Sequence, residues 1–363
     1  MKICIIGMNL TSLVLSKALV NNGCIVNIFN FSKKKLTNYS TRTIGISSSN
    51  IDFINTNIIY LKTKQLHNIK KISILSEKKE EIIKFCNKDE NLFSLIQVNN
   101  LYNILYSSLK FNKLFSLSTL DEKTFKKSNF QSNFDLIINC EKNNFISKKY
   151  FSEKFKKNYN SIAYTSIIHH QKIDNIEARQ YFTDAGPLAF LPLSSKITSI
   201  VFSAYDNKKF DDQNLKKFIF NYKGILNIKK FSEFQKARLN FSLARKYYVN
   251  NILLFGDGLH QIHPLAGQGF NMTIRDLKIL LNIIKEKISN GLELDSLCLK
   301  NFEESTKHKN FFFSEGVNFI HDFFRIKNSF GKDNINNIVK KVGKNKKVKN
   351  LFIKAADEGI ALF

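Results

Sequence analysis

The first 30 residues constrain the fold more than any other stretch. Residues 2–7, KICIIG, are an apolar run that ends in glycine. Leu10, Leu13 and Val14 follow at a spacing of three to four, with Leu19 further on, the pattern of a helix with an apolar face. Gly23 stops that pattern, and CIVNIFN is a second apolar run. Strand, glycine turn, helix, glycine, strand is a βαβ opening, and a parallel pair joined by a helix predicts an α/β fold. A dinucleotide fingerprint has glycine at the positions of Gly7, Asn9 and Ser12. Gly7 suits the tight turn. Asn9 keeps some access to left-handed backbone, but its side chain crowds a phosphate. Ser12 is small enough for close helix–strand packing. An acid is expected at the end of the second strand to hold a ribose, and Asn30 stands there. An amide still accepts a hydrogen bond, but losing the charge costs about 1 kcal/mol. Taken alone, this motif leaves a non-nucleotide α/β turn open.

The remaining pattern completes the organisation. KKISI (70–74) and 81–86 read as short strands, 99–111 as a helix and FDLIINC (134–140) as another apolar strand. From about 160 to 205 the alternation predicts antiparallel strands joined by turns. Residues 211–237 read as helical, NILLFG (251–256) as an apolar strand, and about 271–288 and 299 onward as helices. This order predicts one α/β domain of non-contiguous segments, 1–70, 95–160 and 245–300. An antiparallel sheet domain, 71–94 and 161–244, interrupts it, and a helical region, 301–363, ends it.

The net charge of +26 would suit an anionic partner. The chain is crowded with Lys, Asn, Ile and Phe, has no Trp and has 3 Pro, the bias of an AT-rich coding sequence. Its lysines are spread through every segment with no basic–aromatic module, so no nucleic-acid role is expected. The 5 Cys form no CxxC pair, which argues against a zinc site or a disulfide framework. No apolar stretch reaches the length of a membrane span, and MKICIIGMNL does not read as a secretory signal. A cytoplasmic protein is expected, at most peripheral to the inner membrane.

The most specific motif runs Gly256-Asp257-Gly258-Leu259-His260-Gln261-Ile262-His263-Pro264-Leu265-Ala266-Gly267-Gln268-Gly269-Phe270-Asn271, followed by Arg275-Asp276. It follows an apolar strand and precedes an amphipathic helix. A strand-end Asp can bind a hydroxylated chain, and Gly267 and Gly269 let backbone pass close to a flat ring. Asn271 opens a helix whose positive end favours an anion. The stretch resembles the GD motif of the FAD-dependent aromatic hydroxylases, the para-hydroxybenzoate hydroxylase class. With His263-Pro264 it looks most like the ubiquinone-biosynthesis members. Gln180-Tyr181-Phe182-Thr183 and Gly186-Pro187-Leu188-Ala189-Phe190-Leu191-Pro192-Leu193 resemble the Q.F…GPLA.LPL strands of that subgroup, with His169-His170 near its usual His. Arg42-Thr43-Ile44-Gly45-Ile46-Ser47 is similar to its R..ALS segment. All three prolines, 187, 192 and 264, fall in these motifs.

The resemblance implies a Rossmann-like FAD-binding domain with an inserted antiparallel substrate domain, and a monooxygenase that hydroxylates the ring of a polyprenyl-phenol with O2. FAD would take electrons from NAD(P)H or another reductant. Its adenosine would lie on Gly7, Asn9, Ser12 and Asn30, and its ribitol on Asp257. Its ring would lie near Pro264, Gly267, Gln268, Gly269 and Asn271, and Arg42 would lie at the cofactor. Phe190, Pro192 and His263 would line the substrate pocket. The catalytic groups of the chain itself are not specified, because the flavin carries the chemistry, and no metal is implied. Other quinone-biosynthesis proteins are expected partners. The second family fingerprint,..ADG..S..R, is eroded to Asn139-Cys140-Glu141-Lys142-Asn143-Asn144. Glu141 is one methylene longer than the family's Asp, and Lys142 replaces the turn Gly. Two readings follow from this: weaker FAD binding with activity retained, or a non-catalytic paralogue acting as a scaffold in quinone biosynthesis; a hydroxylase of another aromatic is a separate alternative.

The C-terminal stretch is basic, with Val339, Val342, Leu351, Phe352 and Ala355 on one helical face. It suits either a solvated helix packing on the core or contact with anionic lipid. Phe311, Phe312, Phe313, Phe319, Phe323 and Phe324 make a wide aromatic face, which suits core packing or a prenyl tunnel.

Overall fold

The computed structural model describes residues 1–31, 41–86, 91–206, 208, 210–264 and 267–327, with residues 354 and 357. The apolar runs form strands β1 (Lys2–Ile6), β2 (Ile25–Asn30), β3 (Thr43–Ser47), β4 (His67–Ile69), β5 (Lys71–Leu75), β6 (Glu81–Cys86), β7 (Phe93–Gln97), β8 (Phe115–Thr119) and β9 (Leu136–Asn139). There follow β10 (Lys154–His170), β11 (Glu177–Thr183), β12 (Gly186–Ser194), β13 (Ile197–Tyr205), β14 (Ile228–Phe231), β15 (Gln235–Ala244), β16 (Tyr248–Val249), β17 (Ile252–Leu254) and β18 (His260–Gln261). The helices are α1 (Leu10–Val20), α2 (Ser48–Asn57), α3 (Val98–Leu109), α4 (Glu122–Lys126), α5 (Ser128–Gln131), α6 (Phe145–Tyr150), α7 (Asp212–Tyr222), α8 (Gln268–Ser289) and α9 (Ser296–Lys327).

A six-stranded sheet, β16-β17-β9-β1-β2-β8, is parallel throughout except for the β16–β17 hairpin. Its central strands are buried on both faces: Ile3, Cys4, Ile5 and Ile6 are wholly inaccessible. α1, α3 and α8 contribute apolar side chains to the same core. Strand order runs outward from β1 to β2 and β8 on one side, then to β9 and β17 on the other. The crevice between the carboxyl ends of β1 and β9 is therefore the topological switch point, where open α/β sheets bind ligands.

The second sheet has nine strands, in the order β18-β15-β10-β13-β12-β11-β5-β6 with β14 beside β10. Strand alternation gives it two different faces. One carries Tyr164, Tyr181, Leu188, Phe190, Ile200 and Phe202 and packs on Leu215, Ile219 and Tyr222 of α7. The other carries Ala163 and Phe182, which meet Ile262, Met272 of α8 and Phe313 and Val317 of α9. A small third sheet, β3-β7-β4, adjoins that second face, where Ile69, Phe93 and Leu95 pack with Leu191 and Leu193.

The helical reading of 211–237 holds only as far as Tyr222. Gly224, at φ +57°, ends the run, and QKARLNFSLA then alternates with Leu239, Phe241 and Leu243 inward, the period of a strand. Of the aromatic stripe in α9, Phe313 enters the core, whereas Phe311, Phe312 and Phe319 lie at the surface. Val339, Val342, Leu351, Phe352 and Ala355 lie outside the described residues.

Candidate functional site

Three strand ends converge at the switch point. β1 ends at Gly7, whose φ of +102° gives the tight turn into α1. Asn9 caps that helix: its Oδ1 accepts the Ser12 amide at 3.0 Å, and its Nδ2 donates to the Cys140 carbonyl at 3.2 Å. The side chain at the second fingerprint position thus turns into the helix and the neighbouring strand. Buried Ser12 accepts close packing as expected.

β9 delivers Glu141 to the same crevice. A Cβ placed on Gly7 would lie 2.4 Å from Glu141 Cγ, so the glutamate side chain lies directly against the glycine face. Burial raises the Glu141 pKa above the usual carboxylate range. The Glu141 backbone is fixed by its amide, which donates to Asn139 Oδ1 at 3.2 Å, and by its carbonyl, which accepts from Ser147 Oγ. β17 delivers the third strand end. Gly256 lies against Thr11 of α1, within 2.6 Å of a Cβ built there, and Asp257 projects into solvent beside it. Asn30 closes β2, half-buried, and its carbonyl accepts the Leu120 amide at 3.1 Å.

The N-terminus of α8 makes the other end of the site. Gly267, at φ +64°, begins the helix without a side-chain cap. Its missing Cβ would sit 3.4 Å from the Gly45 amide, so two backbones approach there with no side chain between them. Asn271 fastens the approach. Its Oδ1 accepts from the Ser47 amide and from Asn50 Nδ2, both at 3.0 Å, and its Nδ2 donates to the Gly45 carbonyl at 3.0 Å. Thus Asn271 positions this end rather than presenting its side chain to a ligand. Gln268 and Gly269 are half-buried, as is Pro264, and Arg42 is exposed at the start of β3. Thr41, just before it, bonds to Thr165 at 2.9 Å and to Gln235 at 2.7 Å, tying this segment to the second sheet.

The residues expected to line a substrate pocket are dispersed. Phe190 packs with Tyr181 and Phe202 under α7, and Pro192, two residues on, shares its face. The alternation that sends these two to α7 sends Pro187, Ala189 and Leu191 to the opposite face, beside Ala163 and Thr165. His263 is buried against Tyr159 and His321, with ring centroids 4.9 and 4.6 Å away. Its pKa lies well below the ordinary imidazole value, through burial first and the neighbouring His321 second. Asp276 serves the scaffold: its carboxylate meets His260 Nε2 at 2.9 Å and Asn310 Nδ2 at 3.1 Å, all buried.

Residues 157–293 match the family model of an FAD binding domain. The mitochondrial ubiquinone biosynthesis monooxygenase COQ6 of Xenopus tropicalis is 30% identical over 181 residues, 38% of this chain and 39% of that protein. The Homo sapiens protein of the same name is 29% identical over 195 residues, 42% of each. Over this part the chain is similar in sequence to the FAD-dependent monooxygenases of ubiquinone biosynthesis. The match spans about two fifths of the length of these relatives. The fold is shared more widely. The p-nitrophenol 4-monooxygenase PnpA of Pseudomonas putida superposes with a TM-score of 0.75 at 11% identity, covering 99% of this chain and 98% of that one. Klebsiella pneumoniae HpxO, complexed with FAD and uric acid, superposes at 0.67 and 11%, covering 99% and 97%.

The residues fit a flavin dinucleotide at one end and restrict it at the other. Asp257 is exposed at a strand end, and the Gly45–Gly267 approach leaves backbone to face a flat ring. The Glu141 side chain against Gly7 occupies the crevice where a diphosphate would pass.

Proposed function

We propose that the chain binds FAD and hydroxylates the aromatic ring of a polyprenyl-phenol in ubiquinone biosynthesis. The observation that supports this best is the pair of features on one loop: an exposed strand-end carboxylate at Asp257, and an α8 N-terminus without a side-chain cap where the Gly45 and Gly267 backbones approach. FAD, when bound and reduced by NAD(P)H or another donor, supplies the activation of O2. Asp257 accepts hydrogen bonds from ribityl hydroxyls. The amides that open α8, with the positive end of a 22-residue helix, stabilise negative charge on the ring. Pro187 and Ala189, on the sheet face turned toward α8, offer apolar surface against which an apolar-tailed phenol would lie. We further propose that the protein meets such a substrate at a membrane surface, among other quinone-biosynthesis proteins.

One observation favours a second reading. Asn9 and Glu141 both stand where the fingerprints have smaller residues, and a scaffold that does not bind FAD would tolerate them. The visible spectrum of purified protein separates the two: flavin bands support the hydroxylase, and colourless protein that takes up no added FAD supports the scaffold. Asp257→Ala should then abolish FAD retention through gel filtration. Retention equal to the parent's would remove Asp257 from the site.

A further inference from the structure

Beside the GD loop the chain gathers cations from separate elements. Lys156 of β10 pairs with Ser242 of β15, which pairs with Gln261 of β18, so the three lie side by side on one face. Lys154, two residues before Lys156, shares that face. Its half-buried ammonium donates to the Gly258 carbonyl at 2.9 Å. Lys142 reaches in from the end of β9, its ammonium 3.2 Å from Gln261 Oε1. Both charges acting on Lys154 are cations, Lys156 and Lys142, and together with burial they depress its pKa. Drawing a lysine partly out of water between two others is unfavourable unless an anion completes the set.

We propose that Lys142, Lys154 and Lys156, with Gln261, form a binding site for a diphosphate group. One phosphate monoester carries a charge of roughly −1.5 to −2 and would leave three ammoniums incompletely neutralised. A diphosphate matches them better, and three lysines act as point charges without the planar geometry that carboxylates select. Inorganic pyrophosphate and a nucleoside diphosphate share this chemistry. The site does not depend on the flavin reading.

The test is calorimetric titration of the full chain with pyrophosphate and, separately, with ADP. The double variant Lys142→Gln/Lys156→Gln changes exposed side chains only. It should weaken pyrophosphate binding about tenfold or more. The charge-matched control Lys216→Gln/Lys217→Gln, on exposed positions of α7, should leave it within about twofold. Lys154→Gln should weaken it further, provided its melting temperature matches the parent's. ADP binding tighter than pyrophosphate identifies a nucleoside ligand; equal binding identifies the inorganic ion. FAD is titrated in parallel. Unchanged FAD affinity in the double variant supports a separate site, and a loss of FAD affinity equal to that for pyrophosphate would overturn it by assigning these lysines to the cofactor. No pyrophosphate binding by the parent, or equal loss in the two double variants, would overturn the proposal.

Discussion

At the scale of single residues, Glu141 decides how the crevice behaves. A carboxylate against Gly7 repels a diphosphate and occupies its space. Burial raises its pKa, so lowering the pH toward that raised value neutralises it first among ordinary glutamates. FAD affinity should therefore rise as pH falls into this range. Glu141→Gln should flatten that dependence, and Glu141→Ala should tighten FAD binding at neutral pH about tenfold, ~1.4 kcal/mol. Fluorescence titration of apo-protein across pH checks both, and a Glu141→Ala variant no tighter than the parent would place the diphosphate elsewhere. His263 and His321 give a second pH effect. Burial holds both below the ordinary imidazole value. The groups around them are Tyr159, Tyr205, Lys157, Asp322, Glu315 and Arg325, on β10, β13 and α9. Because the unfolded chain binds protons first, at about pH 6.5, their contribution is full above that pH and is lost as pH falls below it. His321→Asn should reduce the fall in melting temperature between pH 7 and pH 5; an unchanged fall would assign that acid sensitivity to the carboxylates.

At the scale of elements, one side chain joins α8 to β3. Asn271→Ala would strand the Ser47 amide, the Gly45 carbonyl and Asn50 in a buried place. The expected cost is about 3 kcal/mol, since each orphaned buried group costs ~1–3 kcal/mol and partial relaxation recovers some. Urea unfolding measures it, and a loss under 1 kcal/mol would mean that the α8 start holds without this bridge. The sequence shows Asn271 clearly but not this role, because its partners lie more than two hundred residues away in the chain. Elements with strong periodicity were legible: the βαβ opening, the GD loop before α8, and the long helix α9. The stretch 211–237 misled because α7 passes within a few residues into β14 and β15, and lysines fill both exposed faces. Phe190 and Pro192 carry the motif that marks the subgroup, yet alternation turns them to α7, and only strand register reveals it. The Lys142–Lys154–Lys156 grouping is likewise invisible along the chain and appears only when β9, β10 and β18 come together.

At the scale of the whole molecule, the charge of +26 makes any binding to an anionic surface ambiguous. None of the helices among the described residues is long and apolar enough to cross a membrane. The surface offers a specific candidate. Phe155, Phe311, Phe312 and Phe319 are 46%, 38%, 45% and 69% exposed. Phe311 lies 5.9 Å from Phe155 and 5.7 Å from Phe312 between ring centroids, and Arg245 covers Phe155 at 5.4 Å. Exposed aromatic rings beside cations are the composition of an interfacial anchor. Bulk charge alone would give pelleting with anionic liposomes that salt abolishes, because exposed charges are screened beyond about 10 Å at 0.1 M. Insertion of the rings would leave a fraction that resists salt. The variant Phe311→Ser/Phe312→Ser/Phe319→Ser keeps the charge and removes the rings. It should lose that salt-resistant fraction while keeping the parent's pelleting at low salt. Deleting residues 338–363, of which only Lys354 and Asp357 are described, asks separately whether the basic terminus contributes. Should the triple-Ser variant pellet like the parent at every salt concentration, the attraction is that of the net charge, and a membrane-borne substrate loses its support from the aromatic surface.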